Sequence, residues 1–435
     1  MLKTTLILAT ALLCGTAFAA DYPVADVKPV LQTKALTEAD NDADADDPAI
    51  FVNATDAAKS FVVAAAKNGG IRVYGLDGAV LQTIIPAEDG RINNVDIVYG
   101  FKLDDGSSAD LIVGSDRGLD IIRAWRIDPA AAEPLSEITD PAATRAFPRR
   151  YTQDGTATED NPVDDQNTVY GLAAWNDTAT GTTWVVGTQR SQPTVGIFKL
   201  TATAGGHVLA TLDHDFHVSP THDGQNLFQE NDDDALLDFS PQFEGTVIDR
   251  TTGIVYAGQE DVGVWSVPVS GGEPQLLYPT RGSSKSTFNN PDSVISRDIE
   301  GFTIYYAASG TKYLLTSSQG GAHGDVPAPD APYDDSFAVF AIGDAGAINL
   351  LGSFRVAASG DMDAVQESDG ADVTSVALPG FEHGLFITQD GYAGDLNGLD
   401  GETASTNFKF VDWAAIAKTF NPPLEVTPEG WDPRK

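Results

Sequence analysis

The stretch DNDADADDPAIF, residues 40–51, joins the most acidic segment of the chain to its first strongly apolar run. Five Asp residues fall within its first eight positions, and then Pro48 ends the loop and Ala49 begins a run that indicates a β-strand. Carboxylates at this density repel one another unless a cation lies among them, and Ca²⁺ accepts such hard oxygen ligands. The stretch therefore predicts either a solvated acidic turn or a calcium site where a strand begins.

Short β-branched and aromatic runs, separated by turn residues, recur along the rest of the chain. The first group is predicted to have strands at 50–53, 61–66, 71–76 and 80–85, with hairpin turns at Gly69-Gly70 and Asp77-Gly78. Five similar groups follow, the last of them ending near residue 411. Six units of roughly 60 to 75 residues predict an all-β fold, a six-bladed β-propeller of four-stranded antiparallel blades. We expect an N-terminal strand beside the last blade to close the ring.

The N-terminal residues have the pattern of a secretory signal peptide. Lys3 precedes an apolar run at 6–18, and Ala17-Phe18-Ala19 is a small-residue cleavage site. We therefore expect a signal peptide at 1–19, a single propeller domain at 20–435, and a product that is secreted or periplasmic. Cys14 is the only cysteine, so the mature chain would have no thiol nucleophile and no disulfide.

The formal net charge of −37 indicates which partners the surface disfavours. Such a surface repels nucleic acid and anionic lipid, and it suits abundant divalent cations. No apolar run after the predicted signal peptide approaches the length that spans a bilayer. An anionic substrate would bind here only where a metal reverses the local field.

Long polar insertions at 142–167, 214–243, 280–297 and 320–335 separate the predicted blades. Loops of this length in a compact fold are commonly functional. The second insertion contains His214, His217 and His222, which could ligate a transition metal, although their spacing matches no strong zinc pattern. A solvated polar loop explains the same residues.

Two strings at the start of the first two blades carry a family resemblance. DADADDPAIF at 42–51 and NNVDI at 93–97 resemble the signatures D-A-x-D-D-P-A-I-W and N-N-V-D-I-R of the β-propeller phytases. Other family-like stretches extend the resemblance over nearly all of the chain that follows the signal peptide. They are SDR at 115–117, VYG at 169–171, DIEG at 298–301, IYYAA at 304–308, SSQG at 317–320, SDG at 368–370, QDG at 389–391, NFK at 407–409, Trp413 and DPRK at 432–435.

The resemblance implies a calcium-dependent phosphomonoester hydrolase of the 3-phytase type. It would act on phytate, inositol hexakisphosphate, as a calcium complex, and it would release phosphate by direct attack of a calcium-bound water. Several Ca²⁺ ions would lie at one end of the central channel. The implied metal ligands are Asp46, Asp47, Glu244, Glu260, Asp298, Glu300, Asp363 and Asp369. The implied catalytic residues are Lys67, Arg117, Tyr170, Arg190 and Glu244, and the implied substrate-binding residues are Arg91, Asn93, Asn94 and Asp96.

The positions of three cations support this reading without the resemblance. Lys67, Arg117 and Arg190 each follow an apolar strand run at the same place in successive units. Matching positions of a propeller converge on one mouth, so we expect the three side chains to meet around one anion. Taken singly, each could instead be an ordinary surface cation.

The chain departs from the family pattern at four positions near the expected mouth. Val98 stands where the family has arginine, Phe51 replaces a tryptophan, Asn68 replaces a basic residue, and Arg190 replaces a lysine. We expect the missing arginine at Val98 to weaken phytate binding if that residue faces the mouth.

Two other functions fit a calcium-binding propeller. One is a lactonase-like enzyme, and the other is a non-catalytic periplasmic binding or scaffold protein. For all three functions we expect a monomer that binds neither nucleic acid nor membrane.

Overall fold

The computed structural model describes residues 23–231, 233–320, 332–394, 405–428 and 432. The predicted signal peptide, most of the insertion at 320–335 and most of the C-terminal DPRK string lie outside these residues. Within the described ranges, no helix is both long and apolar enough to cross a membrane.

Six sheets follow one another around a ring, and each blade is a four-stranded antiparallel sheet. The N-terminal strands are β1 Val24–Val27 and β2 Leu31–Gln32. Blade 1 has β3 Pro48–Phe51, β4 Phe61–Ala65, β5 Ile71–Gly75 and β6 Val80–Ile84. Blade 2 has β7 Ile92–Lys102, β8 Ser108–Asp116, β9 Ile121–Ile127 and β10 Leu135–Glu137. A small hairpin of β11 Arg150–Tyr151 and β12 Ala157–Thr158 precedes blade 3, which has β13 Val169–Asp177, β14 Thr182–Gln189, β15 Thr194–Thr203 and β16 His207–His217.

The second half of the ring is built in the same way. A hairpin of β17 Thr221–His222 and β18 Gln225–Asn226 precedes blade 4, which has β19 Phe243–Asp249, β20 Ile254–Gln259, β21 Gly263–Pro268 and β22 Gln275–Pro279. Blade 5 has β23 Ile299–Tyr306, β24 Lys312–Ser318, β25 Ser336–Ile342 and β26 Ile348–Val356. Blade 6 has β27 Ala371–Thr374, β28 Leu385–Asp390 and β29 Asn407–Asp412, followed by helix α1 Trp413–Ala417. Single 3₁₀ turns lie at Glu38–Asp40, Ala57–Lys59, Val163–Asp165, Ala235–Leu237 and Asp344–Gly346. The predicted six-bladed β-propeller is therefore confirmed.

The N-terminal segment closes the ring. Strand β2 pairs antiparallel with β29, with Leu31 opposite Phe410, and so supplies the outermost strand of blade 6. This pairing confirms the expected closure. Strand β1 adds a parallel strand to the outer edge of blade 5, where Val24 lies opposite Ser353. The sequence did not predict this second pairing.

The hydrophobic core is divided into six layers, one between each pair of neighbouring blades. The layer between blades 6 and 1 joins Phe408 to Ile50, and it completes the circle. Because both faces of each inner strand are covered, β4 is buried at all five positions. For this reason the sequences of such strands are continuous apolar runs. The close packing of the ring also fixes the position of each strand end.

Val98 belongs to one of these layers. Its side chain is fully buried between blades 2 and 3, where it packs in the same cluster as Leu111 and Leu172. The expectation that an arginine at this position would contact phosphate is therefore wrong, because the position faces the core between the blades.

The second and third long insertions pack against each other over blade 4. Leu227, Phe239, Val262 and Phe288 form a small apolar cluster there. The histidines of this region take separate partners, since the His217 ring lies 4.4 Å from the Tyr151 ring, the His222 ring lies 4.5 Å from the Phe288 ring, and His214 pairs with Asp213. They form no group of metal ligands in the part of the chain that the structure describes.

Candidate active site at one mouth of the propeller

Each blade contributes one polar side chain, on its innermost strand or just before it, to a set that we call the inner ring. Four of these residues lie at β-bulges in the pairing of blades 2 to 5, and a bulge re-aims a side chain. The set consists of Asp46, Asn93, Tyr170, Glu244, Glu300 and Asp369. Asn93 Nδ2 of blade 2 lies 3.5 Å from Asp46 Oδ1 of blade 1 and 2.7 Å from Glu244 Oε1 of blade 4. The inner ring is therefore narrow enough for one amide to bridge three blades.

Gly171 and Gly245, which directly follow Tyr170 and Glu244 in the sequence, allow neighbouring innermost strands to approach this closely. A Cβ atom at Gly171 would overlap the backbone carbonyl of Glu244 on the next blade, and one at Gly245 would overlap the carbonyl of Glu300. Only glycine fits where two backbones meet in this way. These contacts place Glu244 and Glu300 in adjacent positions at the mouth.

Lys67 lies among three carboxylates of this mouth. Its Nζ atom is 2.8 Å from Asp44 Oδ2, 3.1 Å from Asp369 Oδ2 and 3.4 Å from Asp46 Oδ2. Burial lowers the pKa of Lys67, but the attraction of Asp369, Asp44 and Asp46 outweighs it, so the net pKa is well above the ordinary value. Lys67 is therefore a fixed positive charge at the edge of the acidic cluster.

Arg117 is held by neutral groups. Its Nη1 donates to Asn93 Oδ1 at 2.8 Å, its Nη2 donates to Gln166 Oε1 at 3.3 Å, and its guanidinium carbon lies 5.2 Å from the centre of the Tyr170 ring. Among the described residues it forms no ion pair. Its charge is thus oriented by the site but not neutralised by a carboxylate.

Glu244, Glu260 and Glu300 form a buried cluster with the geometry of a metal site. One carboxylate oxygen from each lies within 4.8 Å of the other two. All three residues are at most 5% exposed, and Glu300 Oε2 is buried without a hydrogen-bond partner. A buried carboxylate oxygen without a partner is costly, so this oxygen fits a cation that the three groups would share.

The pKa values of the inner ring reflect burial and mutual repulsion. Burial and then the charges of Glu244, Glu260 and Asp298 raise the pKa of Glu300 well above its ordinary value. Burial also raises the pKa of Asp46, and Lys67 opposes that rise. Carboxylates in such a group ionise together only when positive charge is added among them.

Comparisons with known proteins agree with this site. The model of a protein family described as Phytase matches residues 1–146 and 234–435. This chain belongs to the phytase family. It is also 28% identical over 387 residues to a 3-phytase of Bacillus subtilis (strain 168), covering 87% of this chain and 82% of the relative. The chain is thus an enzyme of the phytase class, and its substrate is a small molecule, phytate.

The solved structures that resemble this chain are more distant. A luciferin-regenerating enzyme matches with a TM-score of 0.43 and 10% identity, over 88% of this chain and 95% of the other. A Bacteroides thetaiotaomicron protein of unknown function matches with a TM-score of 0.39 and 10% identity, over 85% and 72% of the two chains. We draw no conclusion from these two.

A second set of predicted site residues lies where the second strand of four blades ends. Lys67 follows β4, Arg117 follows β8, Arg190 follows β14 and Glu260 follows β20. The amides of Arg117, Arg190 and Glu260 each donate to a carbonyl that lies just before the innermost strand of the same blade. This repeated hydrogen bond shows that Arg117, Arg190 and Glu260 occupy equivalent positions, and the expected equivalence of Lys67 rests only on its place after β4. The side chain of Arg190 has no hydrogen bond or ion pair within the described ranges.

The predicted substrate-binding residues are divided between the mouth and the channel. Arg91 donates from Nη1 to Asn68 Oδ1 at 2.8 Å, and both residues line a cavity of about 590 Å³ beside Gln166. Asp96 lies deeper, where its Oδ2 accepts the Ala174 amide of the next blade at 2.7 Å. Asn94 lines the same channel, next to Asp96. Arg91 and Asn93 therefore contact other residues at the mouth, and Asn94 Oδ1 also accepts from Asn93 Nδ2 at 2.9 Å.

The remaining predicted metal ligands also occupy different surroundings. Asp298 raises the pKa of Glu300, so it lies close to the glutamate cluster, and its backbone has a φ of +67°. Asp47 accepts the Val95 amide at 3.1 Å and joins blades 1 and 2. Asp363 lies in blade 6, where its Oδ1 is 2.6 Å from the Nζ atom of the buried Lys409. Asp363 therefore pairs with Lys409. The lysine that pairs with carboxylates of the inner ring is Lys67.

Sequence reasoning missed several residues that hold the site in place. Asp44 binds Lys67, Gln319 Nε2 donates to Asp369 Oδ1 at 2.7 Å, and Gln242 Nε2 donates to both carboxylate oxygens of Glu260. Asp44 stands in the acidic string and could have been included. Gln319 lies in the family-like stretch SSQG but was assigned no role, and Gln242 carries no charge and matches no motif.

Proposed function

We propose that the chain hydrolyses phytate in a calcium-dependent reaction at this mouth. The observation that carries the proposal is the buried Glu244–Glu260–Glu300 cluster, with one carboxylate oxygen lacking a partner, beside an arginine that forms no ion pair. An acidic cluster alone would repel a phosphate dianion. The adjacent Arg117 supplies the positive charge and the hydrogen-bond donors that suit a phosphate group.

The donor set favours Ca²⁺ over softer metals. The cluster offers carboxylate oxygens, and no histidine or thiolate lies among the described residues of the mouth. Hard oxygen ligands in this number suit Ca²⁺. Glu244, Glu260 and Glu300 would hold one ion, and Asp46, Asp298 and Asp369 lie near enough to hold others. We propose no calcium contact for Asp363, which shares the buried Lys409 with Asp390.

The cations of the mouth would bind and orient the phosphoryl group. Arg117 presents a guanidinium that Asn93, Gln166 and Tyr170 hold in one orientation. Arg190 occupies the equivalent position in the next blade, and Lys67 in the previous one. Three cations at equivalent positions can contact different oxygens of one phosphate and stabilise the charge that its equatorial oxygens gain.

The chemistry is hydrolysis by water without a phosphoenzyme. When bound, Ca²⁺ would supply positive charge to the phosphoryl oxygens and lower the pKa of the attacking water. The chain's residues then orient the phosphate, since Asn93 and Gln166 hold the Arg117 guanidinium and the backbone of Arg190 is fixed at the equivalent position of the next blade. Tyr170 lies between Arg117 and the glutamates, and burial together with those glutamates raises its pKa, so it acts as a neutral hydroxyl at neutral pH.

Phosphate release from phytate tests the proposal. The purified chain is assayed with Ca²⁺, with an excess of chelator, and after Ca²⁺ is restored. We expect release only in the first and third samples. Release that persists in chelator would exclude the calcium-dependent mechanism. Calcium binding without release in any sample would favour the binding or scaffold alternative.

A further inference from the structure

Gln242 connects blade 4 to blade 3 at the mouth through its side chain. It lies directly before β19, and its side-chain NH₂ group donates to Glu260 Oε1 at 2.7 Å and to Glu260 Oε2 at 2.8 Å. Its own Oε1 accepts the backbone amide of Ser191 at 2.8 Å. Ser191 follows Arg190 in the turn after β14. One amide side chain therefore spans from a glutamate of blade 4 to the turn of blade 3 that carries an arginine.

The orientation of this amide is fixed by its partners. The Ser191 amide is a donor, so it must face the oxygen of Gln242, and the carboxylate of Glu260 is an acceptor, so it must face the nitrogen. The backbones of the same residues are also joined, since the Glu260 amide donates to the Gln242 carbonyl at 3.1 Å. Ser191 has a φ of +57°, so the turn is sharp and its geometry is sensitive to the contact that holds it.

A neutral donor has a specific advantage at this place. Two hydrogen bonds orient the Glu260 carboxylate, and an uncharged donor does so without adding a positive charge to the cluster. A lysine or arginine here would compete with a metal ion for the same oxygens. One carboxylate oxygen from each of Glu244, Glu260 and Glu300 lies within 4.8 Å of the other two, so the direction of the Glu260 carboxylate decides how it faces its two neighbours.

We propose that Gln242 is a positioning residue, which orients Glu260 for calcium and couples that glutamate to the Arg190 turn. The proposal rests on the proposed function, in that it takes the glutamate cluster as a calcium site. It predicts that calcium affinity and the position of the phosphate-binding arginine depend on the same side chain. Groups that orient a metal ligand commonly contribute about 10-fold to 100-fold to metal affinity.

The decisive variant is Gln242→Met, which keeps the length of the side chain and removes its hydrogen bonds. The matched control is Gln192→Met. Gln192 is buried in the same turn, its Oε1 accepts the Tyr151 amide at 2.7 Å, and its Nε2 donates to Asn167 Oδ1 at 2.7 Å. Both variants therefore lose side-chain hydrogen bonds near Arg190, but only one loses contact with a carboxylate.

Calorimetric titration with Ca²⁺ of the metal-free proteins provides a readout that does not depend on activity. Glu260→Gln identifies the binding phase that belongs to the glutamate cluster. We expect Gln242→Met to weaken that phase about 10-fold to 100-fold, and Gln192→Met to change it less than about twofold. Gln242→Asn, whose amide is one methylene too short to reach both partners, should behave like Gln242→Met. Unfolding temperatures in chelator show that each variant is folded.

Activity supplies the second readout. Gln242→Met should raise both the calcium concentration for half-maximal phosphate release and the KM for phytate, and kcat at saturating calcium should recover to within about threefold.

Two results would overturn the proposal. One is wild-type calcium affinity in folded Gln242→Met or Gln242→Asn, and the other is equal weakening in Gln192→Met. If the wild-type protein binds calcium but releases no phosphate, the proposed function fails, and the titrations still decide the role of Gln242.

Discussion

Replacing Arg117 with alanine should lower turnover about 100-fold or more while the protein remains folded. In the folded protein Arg117 donates to two neutral acceptors, Asn93 at 2.8 Å and Gln166 at 3.3 Å, and it lies over Tyr170. Contacts of these kinds contribute about 1 kcal/mol each, so losing all three should lower the free energy of unfolding by about 3 kcal/mol. Losing a cation that stabilises the transition state should lower kcat about 100-fold or more, which corresponds to about 2.7 kcal/mol.

In contrast, Lys312→Ala should reduce stability more than turnover. Lys312 begins β24 at the end away from the mouth, and its Nζ pairs with the buried Asp249. Breaking this pair leaves a buried carboxylate without a counter-charge, which should cost about 3 to 5 kcal/mol of stability. The assay measures phosphate release and denaturant unfolding of both variants at equal calcium loading. Activity of Arg117→Ala within about threefold of the wild type would remove Arg117 from the catalytic mechanism.

Three further predictions concern stability. Calcium at 100 times its dissociation constant should add about 2.7 kcal/mol per site, so chelator should lower the unfolding temperature, and an unchanged midpoint would contradict a structural role for calcium. Val98→Arg buries an unpaired charge between blades 2 and 3, so it should lower the unfolding temperature without lowering the KM for phytate, and a tighter KM at unchanged stability would refute its placement in the core. Burial raises the pKa of Asp120 to about 6. The native state therefore binds more protons than the unfolded chain between about pH 4 and 6, and the contribution of Asp120 to stability is lost as the pH rises through that window. Asp120→Asn should remove up to about 3 kcal/mol of that pH dependence in chelator, and an identical slope in both proteins would show that Asp120 does not titrate there.

The strands were predictable because burial on both faces leaves a direct trace in the sequence. The predicted strand at 61–66 and the observed β4 Phe61–Ala65 differ by one residue. The parallel strand β1 was not predictable, because its four residues pair with β26, more than 300 positions away. No local pattern encodes a pairing of that kind.

The site residues also divide into those that a local sequence pattern reveals and those that depend on long-range contacts. Lys67 and Arg117 could be placed together because each follows the second strand of a blade, and ring symmetry then brings them to one mouth. The pairing of Asp363 with Lys409 could not be inferred, because it depends on how a loop folds back over blade 6. Val98 was misread because a family pattern does not say which face of a strand a residue occupies. Gln242 was missed because its role depends on geometry and not on charge.

The central claim is that Glu300 belongs to a calcium site that the hydrolysis of phytate requires. Its raised pKa and its unpaired oxygen indicate a group that costs stability when it is ionised without a cation. The measurement is phosphate release from phytate by Glu300→Gln and by the wild type across a calcium titration, with unfolding of both proteins in chelator. We predict that Glu300→Gln loses activity at every calcium concentration and is at least as stable as the wild type without calcium. Wild-type activity with a wild-type calcium requirement would contradict the claim.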